Sequence, residues 1–184
     1  FINNEGDVLE AEALAMRAFM HFDLLRMFAP AYQDNEDRIA IPYVETYERV
    51  RYPHLPAKEI MEKVLKDLNE AEKILEASDD PILKEVICTY SGKNDFMANR
   101  QYRFNYWAVN ALKARVYLYM GDVENANHYA MKVIEESPFT WVSETDVTSG
   151  DRIFMPELIC GLNVPKLANY YETYFTSEKY SLSD

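Results

Sequence analysis

The chain has 184 residues, 48% of them hydrophobic and 14% aromatic, which supports a folded core and excludes general disorder. Its formal net charge of −12 argues against nucleic acid and against direct adsorption to anionic lipid, because phosphates would be repelled. Fourteen tyrosines stand beside two tryptophans, a set that suits wet interfaces and sugar surfaces, since tyrosine has a flat apolar face and a polar tip.

A first helix is expected over 8–28. Asp7 and Glu10 have the spacing of a capping box, and Ala11, Leu14, Ala15, Ala18, Phe19, Phe22, Leu25 and Phe28 recur with helical period. Glu12, Arg17, His21, Asp23 and Arg26 interrupt it too often for a membrane span, and no apolar run approaches the roughly 20 residues a span needs. Pro30 closes the helix.

Residues 30–56 read as a long irregular insertion holding Pro42, Pro53, Pro56 and a polar cluster over 33–38. Long ordered loops often carry function. Tyr32, Tyr43, Tyr47 and Tyr52 are therefore candidate ligand contacts. Their rings could stack on the C–H faces of sugars while neighbouring polar groups bond the hydroxyls. The plainer reading of any one of them is that it pins the loop to the scaffold.

A second helix is expected over 57–76, with Ile60, Met61, Val64, Leu65, Leu68, Ala71, Ile74 and Leu75 as one apolar stripe. Asp79-Asp80-Pro81 ends it. Residues 82–87 suit a short helix or a strand, and 91–95 suit a turn.

Residues 105–138 have the grammar of a tetratricopeptide repeat, with helices over 105–120 and 122–136. Gly121 suits the left-handed residue that ends a helix, Asp122 can cap the next one, and Pro138 stops it. Ala114, Ala126 and Ala130 allow close approach, and Tyr117 and Ala126 are expected to be buried between the two helices. Trp107 reads as core. Beyond Pro138, short strands or extended segments are expected at 139–142 and 157–162 and a last short helix at 167–175. Trp141, outside the regular helices, is a further candidate ligand contact.

The fold class is thus all-α in the main: tetratricopeptide-like antiparallel helix pairs with long inserted loops and a short irregular or extended C-terminal tail. Residues 1–138 form the scaffold, with the insertion at 30–56, and 139–184 lead toward a part of the protein beyond this sequence. The chain begins with Phe1 and carries no signal-peptide pattern, as expected of an internal piece of a longer protein.

No constellation for chemistry is visible. GxSxG, HExxH and phosphate-loop motifs are absent, so no enzyme activity, catalytic residue or cofactor is expected. No metal site is expected either: His21 and Asp23 are two apart and point to different faces of a helix, and Cys88 and Cys160 lack the spacing of a zinc site. Whether the two cysteines pair or stay free is open.

Several segments, in order, resemble the SusD/RagB family of outer-membrane nutrient-binding lipoproteins. They are the helix 12–28, the extended Ile41-Pro42-Tyr43-Val44, the helix around 59–71, the run 111–122 and Glu157-Leu158-Ile159. Ala29-Pro30 and Met61 depart from the family's usual glycine and aromatic residue, and the chain is much shorter than a family member. The resemblance implies a surface-exposed lipoprotein of the outer membrane, held by a lipid anchor not in this sequence. It also implies a TonB-dependent, SusC-like transporter as partner and a glycan, in some members a peptide, as ligand. An intracellular tetratricopeptide adaptor that binds a peptide is the alternative, but adaptors usually carry several contiguous repeats of about 34 residues.

Overall fold

A computed structural model describes residues 5–78, 80–85 and 96–176. Four long helices dominate: α1 (Glu5–Phe28), α2 (Ala57–Glu76), α3 (Tyr106–Met120) and α4 (Val123–Glu136). Two short ones follow, α5 (Glu144–Thr148) and α6 (Leu167–Tyr171), the latter continuing as a π-helical turn over Glu172–Thr176. Among the described residues there are no strands, only an isolated antiparallel bridge between Ile39 and Pro56.

Each long helix packs on the next. The cross-helix bonds fix the directions. Arg17 meets Asp67, while Glu12, nearer the start of α1, meets Arg100 together with Asp80, just past the end of α2. Lys113 meets Glu72 while Tyr106, at the start of α3, meets Glu76, at the end of α2; Tyr117 stacks on Tyr129 while Lys132, later in α4, lies over the Tyr106 ring. Every neighbouring pair is therefore antiparallel.

The core lies between α1, α2 and α3. Ala11, Ala15, Ala18, Phe22 and Leu25 of α1 face Ile60, Val64, Leu68, Ala71 and Leu75 of α2. Val109, Leu112 and Val116 of α3 close it. The fully buried alanines on α1 allow close approach, and Phe22 sets its ring edge-on to Tyr119 at 5.5 Å. Trp107 is core, and its indole N–H donates to the Ile82 carbonyl at 2.8 Å. The apolar residues of α1 go almost all round it: Leu9, Met16, Met20, Leu24 and Met27 form a second, exposed stripe.

The α3–α4 turn has the expected chemistry. Asn105 caps α3 by accepting from the Ala108 N–H, and Asp122 caps α4 by accepting from the Asn125 N–H. Gly121 has φ +84°. A Cβ there would stand 2.9 Å from the Gln33 side-chain nitrogen, which can swing away, so the backbone strain dominates. Gly121→Ala should cost about 1 kcal/mol, lowering the midpoint by roughly 3 °C in a thermal melt followed by circular dichroism. An unchanged melt would show that the turn relaxes freely.

Several expectations need correction. Helix α1 is already formed at Glu5, so Asp7 lies inside its first turn, where its charge suits the helix dipole, and the Asp7–Glu10 capping box is not made. Of the two readings open for 139–142 and 157–162, the strand is not formed, and the segments are irregular or extended chain. One main-chain bond, Thr140 N–H to the Pro156 carbonyl at 3.2 Å, joins the two regions, and the prolines at 138 and 156 offer no N–H for a ladder. Tyr117 is half-buried at the edge of the helix pair, stacked on Tyr129 at 5.5 Å, whereas Ala126 is buried. Helix α5 was not anticipated, although Ser143 and Asp146 make a reciprocal capping box that the sequence spells out. Within 82–87 only a 3₁₀ turn at Pro81–Leu83 is described; Val86, Ile87, Cys88 and the turn at 91–95 lie outside the described residues.

Candidate functional site

The insertion after α1 is a closed lobe. A 3₁₀ turn at Tyr32–Asp34 leads into a neck where the chain returns beside itself. There Ala40 N–H donates to the Leu55 carbonyl, Leu55 N–H to Ile41, Ala57 N–H to Arg38 and Lys58 N–H to Glu36, all within 3.1 Å. His54 adds a ring-nitrogen bond of 2.7 Å to the Ala40 carbonyl. Pro56 then starts α2 without needing to donate. The head of the lobe, residues 42–54, is projected by this neck.

The lobe is pinned to the helices at Tyr43. The buried ring lies 4.1 Å from the His21 ring, stacked on it. Its hydroxyl donates to an Asp67 carboxylate oxygen at 2.6 Å. The same carboxylate takes a two-pronged bond from Arg17, at 2.6 and 2.7 Å, and a third Arg17 nitrogen donates to the Glu45 carbonyl at 3.2 Å. Two nearly parallel charge-assisted bonds fix both groups in direction as well as distance. Burial, and then the bond to Asp67, hold the Tyr43 hydroxyl far above the ordinary phenol range, so it stays protonated and donating. The bond to Asp67 likewise raises Arg17 further into its charged form. Lys63 pairs with the Glu45 carboxylate at 2.5 Å.

The candidate ligand residues are placed in different ways. Tyr32 is buried near the ring of Tyr119, and Tyr43 is buried as described. Tyr52 is half-buried and donates to the Thr46 carbonyl at 2.6 Å, tying the head of the loop to itself. Tyr47, one residue on, is fully exposed. Trp141 is 75% exposed and borders a small cleft of about 90 Å³ with Val133, Phe139, Glu157 and Ile159. Glu157, which lines the cleft, accepts the Val142 N–H on its carboxylate at 2.8 Å. Trp141 makes no ring contact with the four tyrosines among the described residues.

A larger groove of about 430 Å³ runs beside α1 and α3, lined by Met16, Phe19, Phe104, Leu112, Arg115 and Leu162. Among the described residues no group of three histidine, cysteine or carboxylate side chains is gathered as for a metal. Sequence reading missed Asp67 as the hub of the loop anchor. The available signal was its phase: it falls between Val64 and Leu68 on the buried side of α2.

No protein-family model matches the chain, and no curated protein matches it. Solved structures do. A SusD superfamily protein from Bacteroides thetaiotaomicron superposes with a TM-score of 0.59 at 24% identity, over 77% of this chain and 28% of that one. A SusD superfamily protein from Bacteroides vulgatus gives 0.58 at 22% identity, over 78% and 29%. A SusD-like carbohydrate binding protein from Bacteroides vulgatus gives 0.57 at 19% identity, over 78% and 27%. The chain has the helical fold of these structures and spans less than a third of the length of each.

Proposed function

We propose that this chain, whose helical fold is that of SusD superfamily structures, belongs to a cell-surface glycan-binding protein that works with a TonB-dependent, SusC-like transporter. The observation that carries the reading is the shared fold with a SusD-like carbohydrate binding protein. In this reading the protein is an outer-membrane lipoprotein whose lipid anchor lies outside 1–184. It captures ligand and does no chemistry on it. Residues 1–138 are the scaffold, 30–56 its ligand-facing insertion, and 139–184 lead to the rest of the protein. Residues 29–56 separate α1 from α2 instead of a tight turn, which disfavours an adaptor of contiguous repeats.

Within the chain, Tyr47 and Tyr52 are the proposed stacking surface, Trp141 a second platform, and Tyr32 and Tyr43 the residues that hold the loop in place. A sugar face needs an open ring, which Tyr47 offers. Orientation needs polar groups nearby, and Thr46, Glu48 and Arg49 flank it. A net charge of −12 scarcely opposes a neutral glycan.

Calorimetry of the purified chain against neutral gluco-, manno- and xylo-oligosaccharides tests this. Tyr47→Ala should weaken the best binder about tenfold, the effect of losing one aromatic contact of about 1.4 kcal/mol, with helix content unchanged. Unchanged affinity would remove the loop from the site. Binding to peptides but to none of the glycans would replace the ligand class.

A further inference from the structure

We propose that His21 is an acid-sensitive latch that closes the ligand loop when neutral and frees it when protonated; this rests on the reading of 30–56 as the ligand loop. The ring spans two backbone groups. Nδ1 lies 2.8 Å from the Arg17 carbonyl, which can only accept, so Nδ1 carries a proton and donates. Nε2 lies 3.0 Å from the Val44 N–H, which can only donate, so Nε2 is bare and accepts. This arrangement requires the neutral Nδ1–H tautomer.

A second proton has one place to go, Nε2. It would point at the Val44 N–H, turning a hydrogen bond into two opposed donors. Val44 sits between the two other tethers of the loop head, Tyr43 on Asp67 and Glu45 on Arg17 and Lys63. The charged groups about Tyr43, on which the His21 ring stacks, come from three elements. Arg17 is on α1, Lys63 and Asp67 are on α2, and Glu45 is on the loop beside the Tyr43 phenol. The stretch 43–45 leads directly into Tyr47, so releasing it moves the proposed stacking surface.

The test is nuclear magnetic resonance of the ¹⁵N-labelled chain between pH 7.5 and 5.0, the range in which histidine side chains titrate. At pH 7.5 the imidazole shifts should report the Nδ1–H tautomer, with a coupling through the hydrogen bond between Val44 N and His21 Nε2. At pH 5.0 that coupling should vanish and Val44 amide exchange should quicken about fivefold beyond its intrinsic pH dependence, the effect of losing one ordinary hydrogen bond. His21→Phe keeps a ring against Tyr43 but no acceptor, so Val44 should be open at both pH values. An Nε2–H tautomer at pH 7.5, or the same acid response in His21→Phe, overturns the proposal. Calorimetry with the neutral oligosaccharides separates the two readings. A latch that opens while no glycan binds at any pH supports the latch and sinks the glycan reading. Glycan affinity that stays flat while Val44 opens overturns the control of the ligand loop by His21.

Discussion

Replacing Arg100 with Ala should lower the unfolding free energy by about 3–5 kcal/mol, as expected when one partner of a buried ion pair is removed. Arg100 is only 2% exposed, and its guanidinium serves three partners. Nε donates to Asp80 at 2.7 Å, Nη1 to Glu12, and Nη2 to the Phe104 carbonyl at 3.1 Å. Asp80 is fully enclosed and also accepts the Ile82 N–H at 3.1 Å. Among the described residues, removing the arginine takes away the cation paired with Asp80 and leaves Glu12 with Arg103, at 2.5 Å. The main-chain carbonyl of Arg100, which accepts from the Asn105 side chain that caps α3, is kept in this variant. Arg100→Lys should recover less than half, since a single ammonium cannot reproduce a planar three-way fork. Arg100→Met combined with Asp80→Asn and Glu12→Gln should recover more, because the buried charges disappear together. Urea denaturation checks each variant. A loss below about 1 kcal/mol for Arg100→Ala would mean the carboxylates reach water, contrary to their burial.

Glu72→Ala should cost a similar amount, about 3–5 kcal/mol, for the mirror-image reason. Glu72 joins three helices: its oxygens accept Lys113 of α3 at 2.5 Å and Lys132 of α4 at 2.8 Å. The Lys113 side chain is 1% exposed, and without Glu72 its polar partner among the described residues is the Tyr129 hydroxyl at 2.8 Å, whose ring also lies 4.0 Å away. An ammonium in that position is expensive to leave unpaired. The cost has a pH signature. Burial opposes the Glu72 anion, but the bonds from Lys113 and Lys132 outweigh it and hold the carboxyl below the ordinary glutamate range. A group lowered on folding contributes stability that is fully present above its unfolded value of 4.5 and is lost as pH falls through the lower folded value. The stability gap between wild type and Glu72→Gln should therefore be widest near neutral pH and narrow steadily below about pH 4.5. A gap that is constant with pH would show that Glu72 is not the titrating partner.

These two clusters and the Arg17–Asp67–Tyr43 anchor share a trait that divides what could be read from what could not. The four long helices, the Gly121–Asp122 turn and the core role of Trp107 follow from the amino-acid sequence itself, because period, capping and backbone freedom are local properties. Even the capping box of α5 is written there, in Ser143 and Asp146. The sequence also places an aromatic-rich insertion between two helices. It does not say which of its rings turn inward. Tyr43 and Tyr47 are four residues apart in similar company, yet one is sealed on Asp67 and the other stands in solvent. Glu12 and Arg17 look like interruptions of an apolar stripe, and only packing shows that their partners wait 88 and 50 residues away. Segments 139–142 and 157–162 of the tail have strand-like composition, but a strand needs a ladder, and the described residues around them provide none. Local propensity fixed the helices. The ion pairs, the inward and outward tyrosines and the bond from Val44 to His21 were decided by long-range contact, where the desolvation of a charge or a hydroxyl depends on a neighbour distant in sequence.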